Sequence, residues 1–282
     1  MSHANGNGNG NGNATANTIR VVKLGGRAQS ADALPALVTR AWNEAQALCV
    51  VHGGGDEISA LQRTLGGEPK FAGGRRVTTA DDIAVIRMVL SGLVNKRLVS
   101  SFAHAGAPAV GVSGEDARLI AAQPLGVPEF GLVGMPSAIN TRLVTTLLDA
   151  GYMPVISPLG ANVASVEGGA LNVNGDDAAA AIAVALHARE LLLIADVEGV
   201  LDGDKRVIPQ LSVEEARALI SAGIAVGGMA AKLEAAHAAL AGGVATVRIA
   251  DLSALTDATR GTRVTVGTAA HKTAGAAVTA GA

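Results

Sequence analysis

Ile19-Arg20-Val21-Val22-Lys23-Leu24-Gly25-Gly26 and, further along, Leu48-Cys49-Val50-Val51-His52-Gly53-Gly54-Gly55 follow one pattern, a short apolar run that stops at a glycine cluster. A buried strand that ends in glycine and hands over to a helix aims several backbone N–H groups at one point. Without Cβ atoms, nothing there keeps an anion from the backbone. Two such turns, with Lys23 on the first strand, read as a phosphate-handling device.

Outward from these turns, apolar strand-like runs alternate with helical patterns, as stacked βα units require. After the first strand a helix is expected over residues 31–47, and after the second over 56–65. A hairpin over 71–77 precedes a long helix over 79–104. A strand at 109–112 leads into short polar-flanked runs up to Val133 that read as a small antiparallel patch. A helix over 137–150 and strands at 153–156 and 170–173 follow, and Asn174 opens a helix over 176–187. The remainder reads as a strand at 191–195, helices over 212–222 and 228–241, a strand at 245–249 and a last strand near 263–266. This is an α/β chain. We expect a loose Asn/Gly-rich tail over 1–18, an N-terminal lobe over 19–188, a C-terminal lobe over 189–268 on the same continuous sheet, and a second loose tail over 269–282.

Of 282 residues, 49% are hydrophobic and only 2% aromatic, so the core is built from Ala, Val, Leu and Ile. That suits helices packed closely on a parallel sheet. Lys and Arg number 22 against 24 Asp and Glu, a formal charge of −2, which leaves no basic field for nucleic acid or anionic lipid. The one cysteine, Cys49, sits in an apolar run and reads as a small core residue. The longest apolar stretch, 178–195, is broken by His187, Arg189 and Glu190, so no membrane span is expected. With no basic n-region or apolar h-region at the start, the expectation is a cytoplasmic protein.

His-Gly-Gly-Gly also occurs in esterase oxyanion holes, but that chemistry needs G-x-S-x-G, and Gly111-Val112-Ser113-Gly114-Glu115 has Glu at the last position. A Walker loop needs a Gly-Lys pair, and none occurs. Phosphoryl transfer asks for cations and N–H donors around the migrating group. Lys23 qualifies because a charge inside an apolar strand needs a reason. Lys232 follows Gly227-Gly228-Met229, a turn that opens a helix; alone it would be a solvated surface lysine. In Leu171-Asn172-Val173-Asn174-Gly175-Asp176-Asp177, two asparagines share one face of a strand and two carboxylates begin a helix. At least one of those carboxylates serves the helix's first turn; the other could orient two lysines. Arg76, in Arg75-Arg76-Val77-Thr78, would be a fork for a substrate carboxylate, although a lone loop arginine is usually a surface residue. The six histidines show no metal-ligand spacing, and His52 reads as a local hydrogen-bonding residue rather than a base.

Taken together, these segments resemble the amino-acid kinase family over about residues 19–267. The resemblance rests on Lys23-Leu24-Gly25-Gly26, Val51-His52-Gly53-Gly54-Gly55, Gly74-Arg75-Arg76-Val77-Thr78, Gly92-Leu93-Val94-Asn95-Lys96 and Val110-Gly111-Val112-Ser113-Gly114. It continues through Leu171–Asp176, Asp196-Val197-Glu198-Gly199-Val200-Leu201 and Gly227 through Lys232, and it is the order of these segments that is specific. The resemblance implies an open αβα sandwich on a mostly parallel sheet with ligands at the carboxyl ends of its strands. Within the family the similarity is to the branch that uses MgATP to phosphorylate the side-chain carboxylate of N-acetyl-L-glutamate in arginine biosynthesis. It implies that Lys23 neutralises the migrating phosphoryl group, that Lys232 does so on the ADP side, and that Asp176 holds both. It assigns N–H donation to Gly25, Gly26, Gly54 and Gly55, substrate binding to Arg76 and Asn172, and contact with the nucleotide to Asp196, Gly228 and Met229. Mg2+ would be held mainly by the ATP phosphates, with no protein metal cluster.

Some positions depart from the pattern. Asp56 stands where Pro is common and can cap the following helix; Gly175 stands where Ala is common. Arginine-inhibited members share an N-terminal helix that residues 1–18 do not resemble, and residues 250–261 lack their Glu-containing signature. The expectation is a homodimer insensitive to L-arginine, with the 79–104 helix in or near its interface. Two rivals share these residues: a sister kinase for another acylated or carrier-linked acid, such as aminoadipate or N-succinylglutamate, and a non-catalytic amino-acid sensor. A methylene of substrate difference is worth only ~1–3 kcal/mol, whereas a sensor would not need Lys23, Asp176 and Lys232 together.

Overall fold

The apolar runs of the sequence become strands whose every residue is buried, and this dictates what surrounds them. In the computed structural model, which describes residues 18–45, 47–72 and 75–267, β1 (Arg20–Leu24), β2 (Leu48–His52), β8 (Met153–Ser157) and β11 (Glu190–Ile194) expose no residue on either face. They lie side by side in one eight-stranded sheet of order β12-β14-β13-β11-β1-β2-β8-β5, with β5 (Ala109–Ser113), β12 (Gln210–Ser212), β13 (Thr246–Ala250) and β14 (Thr262–Thr265). All pairings from β13 to β5 are parallel; β14 runs antiparallel to β13. Helices cover both faces. α1 (Leu34–Ala45) and α4 (Asn95–His104) pack together on one side, and α6 (Gly175–Ala185) and α8 (Gly227–Ala241) on the other. This is the αβα sandwich expected. Cys49 is fully buried in β2, and burial pushes its thiol up to about 12, as suits a core residue.

Around this frame lie α2 (Gly55–Thr64), the hairpin of β3 (Phe71–Ala72) and β4 (Arg75–Arg76), α3 (Ala80–Arg87), α5 (Thr141–Asp149) and α7 (Val213–Ser221). The long helix expected over 79–104 is present, but a π-helical segment, Met88–Val94, joins α3 to α4. Thr79 and Asp82 close a capping box at its start.

Several expectations need correction. The antiparallel patch is a closed four-stranded barrel of β6 (Ile120–Pro124), β7 (Val133–Ile139), β9 (Leu159–Asn162) and β10 (Ala170–Val173), in which β7–β10 and β6–β9 pair in parallel. Residues 137–139, read as the start of a helix, complete the β7 ladder opposite Ile120 and Ala121. Asn140 then caps α5 by accepting from the Arg142 N–H. The helix read over 31–47 begins only at Leu34, where Pro35 falls in the first turn, the place a residue without an N–H is tolerated. Before it comes a 3-10 turn, Gly26–Ser30. Asp56 does not cap α2: Gly54 is the cap and Asp56 lies in the first turn. The tails expected over 1–18 and 269–282 fall, but for Thr18, outside the described residues.

Candidate functional site at the carboxyl ends of the strands

Three elements bring charge to one point. β1 carries Lys23 on its penultimate residue, β10 runs through Asn174 into α6, and the Val226–Gly228 turn opens α8. The Asn174 side chain accepts from the N–H groups of Asp176 (2.8 Å) and Asp177 (3.4 Å), which fixes both carboxylates in the first turn of α6. Asp176 then meets Lys23 Nζ at 3.0 Å through Oδ1 and Lys232 Nζ at 3.4 Å through Oδ2. All three side chains are at least nine-tenths buried.

The electrostatics follow from that burial. Burial alone would raise the Asp176 carboxyl, but the Lys23 and Lys232 ammonium groups outweigh it and hold it below the usual carboxylate range. Burial pulls Lys232 below its ordinary value and Lys23 adds to this, with Asp176 opposing. One carboxylate between two lysines leaves a net positive centre, ready to receive a multiply charged anion.

Two cavities meet at this centre. One, of about 210 Å³, is lined by Lys23, Asp176, the Gly53–Gly55 turn, Arg76 and Asn172. The other, of about 290 Å³, is lined by Gly25, Gly26, Asp196, Gly228, Met229 and Lys232. Every residue to which the resemblance assigns a role therefore lines one of the two. A Cβ on Gly25 would stand 3.1 Å from Lys23 Nζ and 3.4 Å from Lys232 Nζ, filling the space between the cations. Gly26 has φ +51°, a conformation glycine adopts readily, and there its Cα faces Asp196. Among the described residues no group of three or more His, Cys, Asp and Glu could hold a metal ion.

The second glycine turn is shaped by its neighbours. A Cβ on Gly54 would meet Leu90 Cδ2 at 2.7 Å, so the π-helical segment presses directly on the turn. Gly55, by contrast, has open space at that position. His52, which ends β2, contacts the Gly53 carbonyl through Nδ1 at 2.8 Å and Asn95 Nδ2 through Nε2 at 3.1 Å, in keeping with a local role.

Two side chains are more committed than the sequence suggested. Arg76 is not a free fork: it donates to Gln62 Oε1, and at 2.8 Å to both the Gly55 carbonyl and Ser59 Oγ. Asp196 accepts from the Arg27 N–H at 3.0 Å and so holds the first glycine turn from the segment just after β11. Asn172 lines the first cavity while its Nδ2 donates to Thr78 Oγ1 at 3.0 Å. The sequence reading missed Ser59, Gln62 and the Arg75–Asp177 ion pair (2.7 Å) that fastens the hairpin to α6. A signal for the first two existed: Ile58, Ser59 and Gln62 share the buried face of α2, and polar residues on an apolar helix face need partners.

A sequence model of the amino acid kinase family matches residues 18–251. The chain is similar to the acetylglutamate kinase of Rubrobacter xylanophilus, 45% identical over 224 residues, covering 79% of this chain and 85% of that one. It is likewise similar to the acetylglutamate kinase of Paracoccus denitrificans, 42% identical over 240 residues, covering 84% of this chain and 78% of its relative. Among solved structures, smu.665 from Streptococcus mutans UA159 superimposes with a TM-score of 0.80 at 31% identity, covering 89% of this chain and 100% of that chain.

Proposed function

The chain belongs to the amino acid kinase family, and from that premise we propose that it phosphorylates the side-chain carboxylate of N-acetyl-L-glutamate with ATP, in arginine biosynthesis. The observation that carries the reading is the Lys23–Asp176–Lys232 centre at the junction of two cavities. The larger cavity, with Asp196, Gly228 and Met229, takes the nucleotide. The smaller takes the acid, with Arg76 and Asn172 toward its α-carboxylate and amide end.

A carboxylate oxygen of the acid attacks the γ-phosphorus, the bond from that phosphorus to the β-bridging oxygen breaks, and ADP leaves with the electron pair. The product is an acyl phosphate. The nucleophile is already an anion, so no general base is needed, and positioning and charge neutralisation carry the rate. Lys23 neutralises the migrating group, Lys232 the charge gathering on ADP, and Asp176 keeps the two ammonium groups apart and aimed. N–H groups at Gly25 and Gly26 serve the phosphoryl oxygens, and those at Gly54 and Gly55 the accepting carboxylate. Mg2+ enters on the ATP phosphates as part of the substrate.

The test is ADP release with hydroxylamine trapping across a panel of acylated acidic amino acids. Turnover fastest on N-acetyl-L-glutamate supports the reading; preference for a longer or differently acylated acid favours a sister kinase; no turnover favours a sensor. Lys23→Ala and Lys232→Ala are expected to lower kcat by about 100-fold or more, the order expected for lost charge stabilisation, with much smaller changes in KM. Loss of binding with kcat intact would reject their roles.

We further propose a cytoplasmic homodimer with the 79–104 helix in or near its interface. Met88 and Leu93, both more than half exposed there, supply apolar surface for a partner, and no helix among the described residues could cross a membrane. Light scattering at the mass of two chains, without half-inhibition by sub-millimolar L-arginine, is the expected result; a hexamer or such inhibition would overturn it.

A further inference from the structure

Arg76, on β4, is held in the acid cavity by a relay that starts in the first turn of α3. Its Nη2 donates to the Gly55 carbonyl and to Ser59 Oγ, both at 2.8 Å, and its Nη1 donates to Gln62 Oε1. The Phe71 ring covers it, with the guanidinium carbon 4.8 Å from the ring centre. Among the described residues three of the five N–H donors of the guanidinium are thus committed to the protein, which leaves for a ligand the Nε–H and one Nη1–H, on different edges of the fork. How the guanidinium is turned therefore decides whether one of those hydrogens meets a substrate carboxylate.

Gln62 sets that turn. Its Oε1 accepts from Arg76 and its Nε2 donates to Asp82 Oδ1 at 2.5 Å. The other oxygen of Asp82 is occupied at the start of α3, accepting from the Thr79 N–H and hydroxyl at 2.8 Å each. The amide lies between a cation and an anion, and only one orientation satisfies both. Flipped, it would turn its NH2 against a guanidinium and its oxygen against a carboxylate. Gln62 is buried, so water cannot replace either bond at low cost.

We infer that Gln62 is a positioning residue for the acid substrate, fixing how the Arg76 guanidinium is turned in the cavity by bridging it to Asp82. This rests on the reading that Arg76 meets that substrate. Its effect is confined to the acid, because the nucleotide cavity shares no residue with the relay.

Gln62→Leu, close in size but unable to donate or accept, is expected to raise KM for the acid about tenfold, equivalent to ~1.4 kcal/mol. KM for ATP should stay within about twofold, the scatter of a distant substitution. In an Arg76→Lys background the same change should add less than about twofold, since coupled residues are not additive. Gln62→Glu alone sets a second carboxylate against Asp82; combined with Asp82→Asn it rebuilds the relay with donor and acceptor exchanged at position 82. The double variant should recover most of the acid KM lost in either single variant, which also decides the matter if Gln62→Leu fails to fold. Equal rises in both KM values, full additivity with Arg76→Lys, or no recovery in the double variant would overturn the inference. If the unaltered enzyme prefers another acid, the KM of that acid is the readout, so failure of the substrate assignment and failure of the relay are separate results.

Discussion

At the scale of a single residue, His52 shows how a buried polar group can hold a glycine turn. Asn95 Nδ2 can only donate, so the imidazole Nε2 accepts, and the ring proton sits on Nδ1, donated to the Gly53 carbonyl. Asn95 is itself fixed by donating to the Val155 carbonyl at 2.9 Å. Burial pulls the imidazole down to about 4 from an ordinary 6.5, against the opposing pull of the Gly53 carbonyl. Unfolded, the ring takes its proton near 6.5; folded, it does so only near 4. Between these values the unfolded chain binds the extra proton, so this contribution is full above 6.5 and is lost as pH falls toward 4. Denaturant unfolding should show stability dropping by about 2 kcal/mol between about pH 7 and pH 5 through this group, and His52→Gln should flatten that slope. An unchanged slope in the variant would refute the assignment. That His52 acts locally was legible from its place at a strand end. Its partner was not, because Asn95 lies 43 positions away on a helix whose sequence gives no sign of which strand it crosses.

At the scale of elements, the periodic segments were legible and the irregular ones were not. The runs ending at Gly25 and Gly53 declared themselves because a strand buried on both faces is apolar wherever a side chain has no buried polar partner. β12 has only three residues, too few for a period to show, and β7 was hidden by a following helix whose pattern its last residues could extend. The π-helical segment likewise has no residue signature, yet it decides which glycine of the second turn is indispensable. Leu90 Cδ2 and Val94 Cγ2 would lie 2.7 and 3.2 Å from a Cβ on Gly54. Gly54→Ala should therefore cost ~1–3 kcal/mol and slow turnover, because a packed helix must retreat from the turn. Gly55→Ala meets open space in the first turn of α2 and should be neutral to ~1 kcal/mol stabilising. Thermal melts of the two variants check the contrast, and trimming Leu90 to Ala should cost less in the Gly54→Ala background than alone. Equal melting temperatures for the two glycine variants would show that the helix does not press on the turn.

At the scale of the whole molecule, one sheet serves two cavities at its carboxyl edge and must be held together at the other. Long-range polar pairing does this, and no sequence pattern announces it: Arg20, Glu190 and Arg248 are separated by 170 and 58 positions. Glu190 accepts from Arg20 Nε at 2.7 Å and from Arg248 Nε at 2.6 Å, tying β1, β11 and β13 at their buried amino-end side. The arginines extend the tie to carbonyls of Ala254, Leu255, Asp257 and Arg260, and so anchor the segment that leads into β14. Burial would raise the Glu190 carboxyl, but the two guanidinium groups outweigh it and hold it below its ordinary range. The stability it contributes is thus present above its unfolded value of 4.5 and is lost as pH falls below that. Glu190→Leu would leave two buried guanidinium groups facing each other without a counter-ion, at a cost of ~3–5 kcal/mol near neutral pH. The difference from the unaltered protein should shrink as pH falls below 4.5, where the unfolded carboxyl takes up a proton that the folded one resists. Glu190 touches neither cavity, so kcat and both KM values, measured per folded molecule below the variant's melting temperature, should be unchanged. Urea unfolding at pH 7 and at pH 4, set beside those kinetics, separates the two duties of the sheet. Lost activity without lost stability would mean that its two edges do not work independently.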